Sequence, residues 1–118
     1  MQYLCLIYDD ETKMDAMPDA EKGAFFAEYM KFSADVKASG HMVAGDALQP
    51  VATATTVRIR DGKLTTTDGP FAETREQLGG YYLIEAKDLD EAIQIAARIP
   101  SARYGSIEVR PVMVFDGP

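Results

Sequence analysis

Side chains able to do chemistry are few in this sequence, and their spacing limits what they can do. His41 is the only histidine. Its imidazole titrates near neutrality and could serve as a general base. Placed just after Ser39-Gly40, where a helix stops, it could equally interact with carbonyls at the helix end. Asp68 opens the run Asp68-Gly69-Pro70-Phe71. A carboxylate on a rigid corner could orient a ligand or accept a proton; an Asp at the start of a turn also bonds its own backbone two residues on. Phe71 reads as an anchor pinning that corner into the core or a dimer seam. Glu73, Arg75 and Glu76 precede Gly79-Gly80, which describes either a solvated loop or a lid hinged on the two glycines. Arg58, Arg60, Glu108 and Arg110 fall on β-rich runs, and strand-mounted polar groups give apolar pockets their specificity. Arg110 could hold an anionic ligand bidentately or join an interface salt bridge. Tyr81 and Tyr82 are adjacent, so one phenol faces the helices and the other the opposite side of the sheet.

The candidates for acid–base work are therefore Asp68, Glu76, Tyr82 and His41. Those for ligand binding are Arg58, Arg60, Glu73, Tyr82, Glu108 and Arg110. One His, one Cys and scattered carboxylates show no metal-ligand spacing, and no glycine fingerprint announces a nucleotide. Neither metal nor cofactor is expected.

The elements that must position these residues follow from the hydrophobic pattern. Tyr3 to Tyr8 is a six-residue run that is apolar on both pleat faces, which predicts a central strand covered on both sides. Cys5 within it reads as a small buried hydrophobe rather than a reactive thiol. From Pro18 to Ser39 the period is helical, with Phe25, Tyr29, Phe32 and Val36 on one stripe and Phe26, Met30 and Ser33 beside it. Pro18 suits the first helical position, and Gly40 the stop. His41 to Leu48 predicts a short strand broken by Gly45. Thr53 to Arg60 and Lys63 to Thr67, separated by Asp61-Gly62, predict a hairpin. Gly69 is expected to be extended before Pro70. Gly80 to Glu85 predicts a strand. Asp88 to Ile99 predicts a helix capped by Asp88, with Leu89, Ala92, Ile93, Ala96 and Ile99 as its stripe. Ile107 to Phe115 predicts the last strand.

The order βαβ, ribbon, βαβ predicts an α+β fold over residues 1–118 as a single domain: a ferredoxin-like βαββαβ with an inserted β-hairpin. Two helices can cover one sheet face only, so a second copy of the chain is expected on the other.

Composition sets outer bounds. The chain has 118 residues, a net charge of −7 and 47% hydrophobic residues. That acidity argues against nucleic acid as a partner, and no apolar run reaches membrane-spanning length. With one cysteine and no signal segment at its start, a cytoplasmic location is expected. Residues 1–50 carry nine acids against four lysines, and all six arginines lie beyond residue 57. The acidic excess thus leaves room for a small anionic ligand beside the arginines.

The stretch Thr67 to Glu85, T-D-G-P-F-A-E-T-R-E-Q-L-G-G-Y-Y-L-I-E, closely resembles the signature of the DGPF proteins, a branch of the bacterial YCII-related family. So do V-A-G-D-A-L-Q-P (43–50), T-A-T-T-V-R (53–58), the opening Y-L-C-L-I-Y-D-D and the closing G-S-I-E-V-R-P-V (105–112). The tripeptide alone is not specific, since Asp116-Gly117-Pro118 repeats it. The resemblance implies a dimeric α+β barrel of ferredoxin-like subunits and an association with sigma factors. YciI-like members are proposed to use a His-Asp pair. That His lies eleven residues before the glycine ending the first helix, which is Tyr29 here, and the Asp precedes the proline after the second helix, which is Ile99 here. Both members of the pair are missing, so the resemblance does not carry that chemistry over.

Three functions are compatible with these residues. One is a homodimer that binds a small organic molecule or acts as an accessory protein to a sigma factor. Another is a cofactor-independent isomerase, hydrolase or monooxygenase-like enzyme using the barrel pocket. Such an enzyme would draw on Asp68, Glu73, Glu76, Tyr82 and Arg110, and needs a cavity that holds at least two of them. The third is an interaction module whose contact point is the hairpin tip at Asp61-Gly62.

Overall fold

Strand β1 (Gln2–Asp9) is hydrogen-bonded on both sides, antiparallel to β5 (Gln77–Glu85) and to β6 (Ser106–Pro111). Adding β2 (Met42–Ala47) outside β5 gives an antiparallel sheet of order β2-β5-β1-β6. The computed structural model describes residues 1–116, so Gly117 and Pro118 of the second Asp-Gly-Pro lie outside the described residues. The result is an α+β architecture: this sheet, a separate ribbon and three helices.

Helices cover one face of the sheet. Tyr3, Cys5 and Ile7 of β1 and Ile84 of β5 are buried against Phe32 and Val36 of α2 (Asp19–Ala38) and Ala92, Ile95 and Ala96 of α3 (Leu89–Ala97), with Ile99 closing the cluster. Burial pushes the Cys5 thiol up to about 11, which keeps it protonated and inert. The alternate residues Leu4 and Leu6, with their cross-strand partners Leu83 and Tyr81, stay half-buried on the other face. Leu89 and Ile93 are exposed instead of buried. Successive helical residues step about 100° round the axis, and Ile95, Ala96 and Ile99 centre the buried stripe on Ala92. That turns Leu89 and Ile93 to its flank.

Helix ends follow their side chains. The Asp88 carboxylate accepts the Glu91 N–H at 2.9 Å, and Glu91 in turn accepts the Lys87 N–H at 3.1 Å. Pro18 is the cap residue of α2 rather than its first helical residue. At the other end Gly40 takes φ +80°, and the Gly40 and His41 N–H groups bond back to Lys37 and Val36. A further short helix, α1 (Glu11–Asp15), stands where the sequence predicts only an acidic boundary. Asp10 caps it by accepting the Thr12 and Lys13 N–H groups.

Between β2 and β5 the ribbon β3 (Thr55–Arg60) and β4 (Lys63–Asp68) forms as predicted, with Asp61 and Gly62 both at positive φ. Gly69 is not extended at negative φ; it sits at +105°. Pro70 bars helical backbone before it, but glycine has the positive-φ side open. Gly45 does not break β2. It lies in the strand opposite Tyr82, whose ring would stand 2.7 Å from an added Cβ. β6 ends at Pro111, and residues 112–115 continue as an exposed segment outside the sheet.

Two other glycines make a clean comparison. A Cβ on Gly105 would lie 1.9 Å from the Tyr8 carbonyl oxygen, whereas one on Gly79 meets nothing within 4 Å. Gly105→Ala should therefore cost about 1–3 kcal/mol, as overpacking against backbone does. Gly79→Ala should stay within about 0.5 kcal/mol of the parent. Urea unfolding midpoints measure both, and equal midpoints would contradict the packing of residue 105 against β1.

Candidate functional site

A cavity of about 660 Å³ lies on the helix-covered face of the sheet, between α1, α2 and the β2–β5 edge. Phe25, Phe26, Met30, Met14, Met17 and Leu48 make most of its wall. Its polar floor comes from three residues far apart in sequence. Asp9 ends β1, Tyr29 lies mid-way along α2, and Ser101 sits in the 3-10 turn (Pro100–Arg103) that follows α3. Pro100 stops α3 and starts that turn, so the seryl hydroxyl is delivered fully buried between strand and helix.

Ser101 Oγ donates to Asp9 Oδ2 at 2.7 Å, and Tyr29 Oη lies 2.5 Å from Ser101 Oγ. Since the single seryl proton goes to the carboxylate, the phenol donates to the serine: Tyr29 → Ser101 → Asp9. The Tyr29 oxygen then has only lone pairs for the cavity. Desolvation chiefly, with the nearby Asp9 charge, pushes the Tyr29 phenol up to about 12, although the Ser101 hydrogen bond pulls the other way. Asp9 is also raised, mainly by burial and further by Glu76, against the opposing bond from Ser101. Its Oδ1 is buried and accepts nothing.

Other bonds fix the rim. Tyr82 faces the helices, with its hydroxyl 2.8 Å from Ser33 Oγ and its ring edge-on to Phe32 at 5.1 Å. Tyr81 points to the other face and donates to Asp46 Oδ2 at 2.6 Å, a bond that raises its own pKa. Glu11 accepts the Val51 N–H, and the Gln77 side chain accepts the Glu11 N–H at 2.9 Å. These two bonds tie α1 to the loop after β2 and to β5.

Of the acid–base and ligand-binding candidates named from the sequence, this cavity gathers Tyr82 alone. His41 ties α2 to α3, with Nδ1 2.7 Å from Ser39 Oγ and Nε2 3.2 Å from Glu91. Arg58, Arg60 and Asp68 stand on the ribbon. The Asp68 side chain makes no hydrogen bond among the described residues, because Pro70, two residues on, has no N–H to give it. Glu73 and Arg75 are exposed, and Phe71 is 80% exposed, so it does not anchor the corner within this chain. Glu76 accepts from Ser106 at 2.8 Å just outside the cavity. Glu108 and Arg110 pair with each other on the uncovered sheet face. The glycine hinge is replaced by strand. Gly79 is the unpaired residue of a β-bulge, and a Cβ on Gly80 would press on Asp46 at 2.8 Å. Among the described residues no three His, Cys, Asp or Glu side chains converge as a metal site requires.

Asp9 and Ser101 carried no signal in the sequence. Tyr29 carried one: it occupies the position where the resembling family places its histidine. The other member of that pair, Ile99 here, is buried in the core.

Residues 1–116 match the YCII-related domain. An uncharacterized protein of Rhizobium meliloti (strain 1021) is 35% identical over 117 residues, which cover 98% of this chain and 94% of that protein.

The raised carboxyl of Asp9 has a signed consequence for stability. The folded protein holds that proton more tightly than the unfolded chain does. Stability is therefore lost as pH rises from the unfolded carboxylate value of about 3.9 through the higher folded one. Asp9→Asn keeps an acceptor for Ser101 and removes the charge. The wild-type urea midpoint should fall relative to that of the variant across this window and run parallel to it above. A difference that does not change with pH would contradict the burial of the charge.

Proposed function

We propose that this chain, which belongs to the YCII-related family, binds a small organic molecule in the cavity between α2 and the sheet. One observation carries the reading: about 660 Å³ of mainly apolar space ends on an Asp9–Ser101–Tyr29 hydrogen-bond chain whose middle hydroxyl is fully buried. Binding sites for small molecules have this size and this contrast between a greasy wall and a few fixed polar groups. Nothing in the packing of the core requires the space, and Phe26 and Met30 stay exposed at its mouth.

A second reading, proton-transfer catalysis without a cofactor, draws on the same hydrogen-bond chain. A phenol linked through a hydroxyl to a carboxylate can pass a proton between cavity and Asp9 with little movement. The residues first considered for that role, Asp68, Glu73, Glu76 and Arg110, stand outside the cavity and do not contribute to it.

We also infer the assembly. The strand order β2-β5-β1-β6, with α2 and α3 each joining parallel strands around an antiparallel one, supports a ferredoxin-like subunit. Leu4, Leu6 and Leu83 on the uncovered face support a second copy closing a dimeric α+β barrel. The radius of gyration, 16.5 Å, exceeds the roughly 13.5 Å of a compact chain this long. This is what a subunit whose ribbon and sheet face await a partner would show.

Protein-detected NMR against a library of small organic compounds tests the site. Ligands should move the amides of residues 45–48 and 77–82 while the ribbon, residues 55–68, stays silent. Hits confined to the ribbon would favour an interaction module instead. Sedimentation equilibrium at micromolar concentration tests the assembly. The wild type should run at twice 12.9 kDa and Leu83→Arg as a folded monomer; a monomeric wild type would refute it.

A further inference from the structure

We propose that the ligand of this cavity is an organic cation: an ammonium group carried on an apolar, preferably aromatic, body. The inference rests on the binding reading above and names its chemical class.

Charge is the first ground. Asp9, Glu11 and Asp15 line the cavity, whereas the Asp46 carboxylate is held by Tyr81 on the opposite sheet face, and Lys22 is the one cationic side chain among the lining residues. None of these three carboxylates takes part in an ion pair among the described residues; those found join Met1 to Glu85, His41 to Glu91, Arg103 to Glu28 and Arg110 to Glu108. Two of the three are held in place by neutral donors: the Ser101 hydroxyl and the Val51 N–H. Such bonds orient a carboxylate without cancelling its charge. A cleft with low-dielectric walls and one sign of charge concentrates the opposite sign. An anion entering it would meet like charge, and every arginine is elsewhere.

Hydrogen-bond direction is the second ground. Because Ser101 gives its proton to Asp9, Tyr29 gives its proton to Ser101, and the phenol oxygen presents only acceptor capacity to the cavity. A ligand that satisfies it must donate. An ammonium donates and carries the required sign, and the ring walls of Phe25 and Tyr82 can receive its charge or its apolar body.

The test uses three probes of one shape and different charge: 2-phenylethylammonium, 2-phenylethanol and 3-phenylpropanoate. Each is titrated into the full-length protein and followed by amide shifts. At low salt the ammonium should bind at least about tenfold more tightly than the alcohol, which is about 1.4 kcal/mol, and the carboxylate more weakly than both. Raising ionic strength to about 0.3 M should shrink the ammonium's advantage. Asp15→Asn removes a charge whose side chain makes no hydrogen bond in the structure, so it leaves the fold intact. It should weaken the ammonium severalfold and leave the alcohol unchanged. Tyr29→Phe should weaken ammonium binding as well. Alcohol and ammonium binding equally well in the cavity, or the carboxylate binding best, would overturn the charge assignment and leave the binding reading standing. Failure of all three, with library hits still mapping to the cavity, would also overturn it. Failure of every compound at the cavity would remove both readings.

Discussion

The constraint on which the structure depends is that β1 sits at the centre of its sheet and is apolar on both faces. Its backbone is satisfied by β5 on one side and β6 on the other, which fixes the register of everything else. Its alternating side chains then demand two coverings. Tyr3, Cys5 and Ile7 receive theirs from α2 and α3. Leu4 and Leu6 do not receive one within the chain, and that imbalance is the physical case for self-association. The same strand also delivers Asp9. Where its apolar run ends, the first carboxylate is carried beside α2 with part of its hydration stripped away, and the Ser101 hydroxyl replaces only some of what water supplied.

Much of the fold was legible because local chemistry and long-range packing agree. Asp61-Gly62 dictates its own hairpin, Gly40 its own helix stop, and Asp88 with Glu91 the start of α3. Sequence reasoning lost ground where local signals were read at the wrong range. Asp9, Asp10 and Glu11 look like one acidic boundary, yet Asp10 caps a helix, Glu11 anchors a loop and Asp9 is half-buried beside Ser101. Gly79 and Gly80 look like a hinge, but one is a bulge and the other a point of close backbone approach. Leu89 and Ile93 fit a helical stripe as well as Ile95 does, and only the rotation at which α3 docks on the sheet decides between them.

The candidate site was the least legible part. Its three polar residues are separated by 20 and 72 positions, and each has an ordinary reason to be where it is: a strand end, a helix stripe, a turn after proline. By residue type alone, the guanidinium groups of the six arginines in a β-rich half suggest an anion. The structure puts them on the ribbon, the loop before β5, the end of α3 with the turn after it, and the uncovered face, none of them lining the cavity. Residue type suggested one sign of charge and position gives the other, because a side chain's influence on a ligand depends on which face of which element bears it.

The ribbon adds a consequence of its own. Apart from the strands' own ladder, its base is closed by the Gly69 N–H on the Ala54 carbonyl and by the Thr56 hydroxyl on the Gly69 carbonyl. None of its residues belongs to the buried core. An arm held in this way can lengthen or shorten in steps of two residues during descent, keeping its facing pattern, while the sheet and cavity are left as they were. Chains of this family could then diverge in what they touch while conserving what they hold.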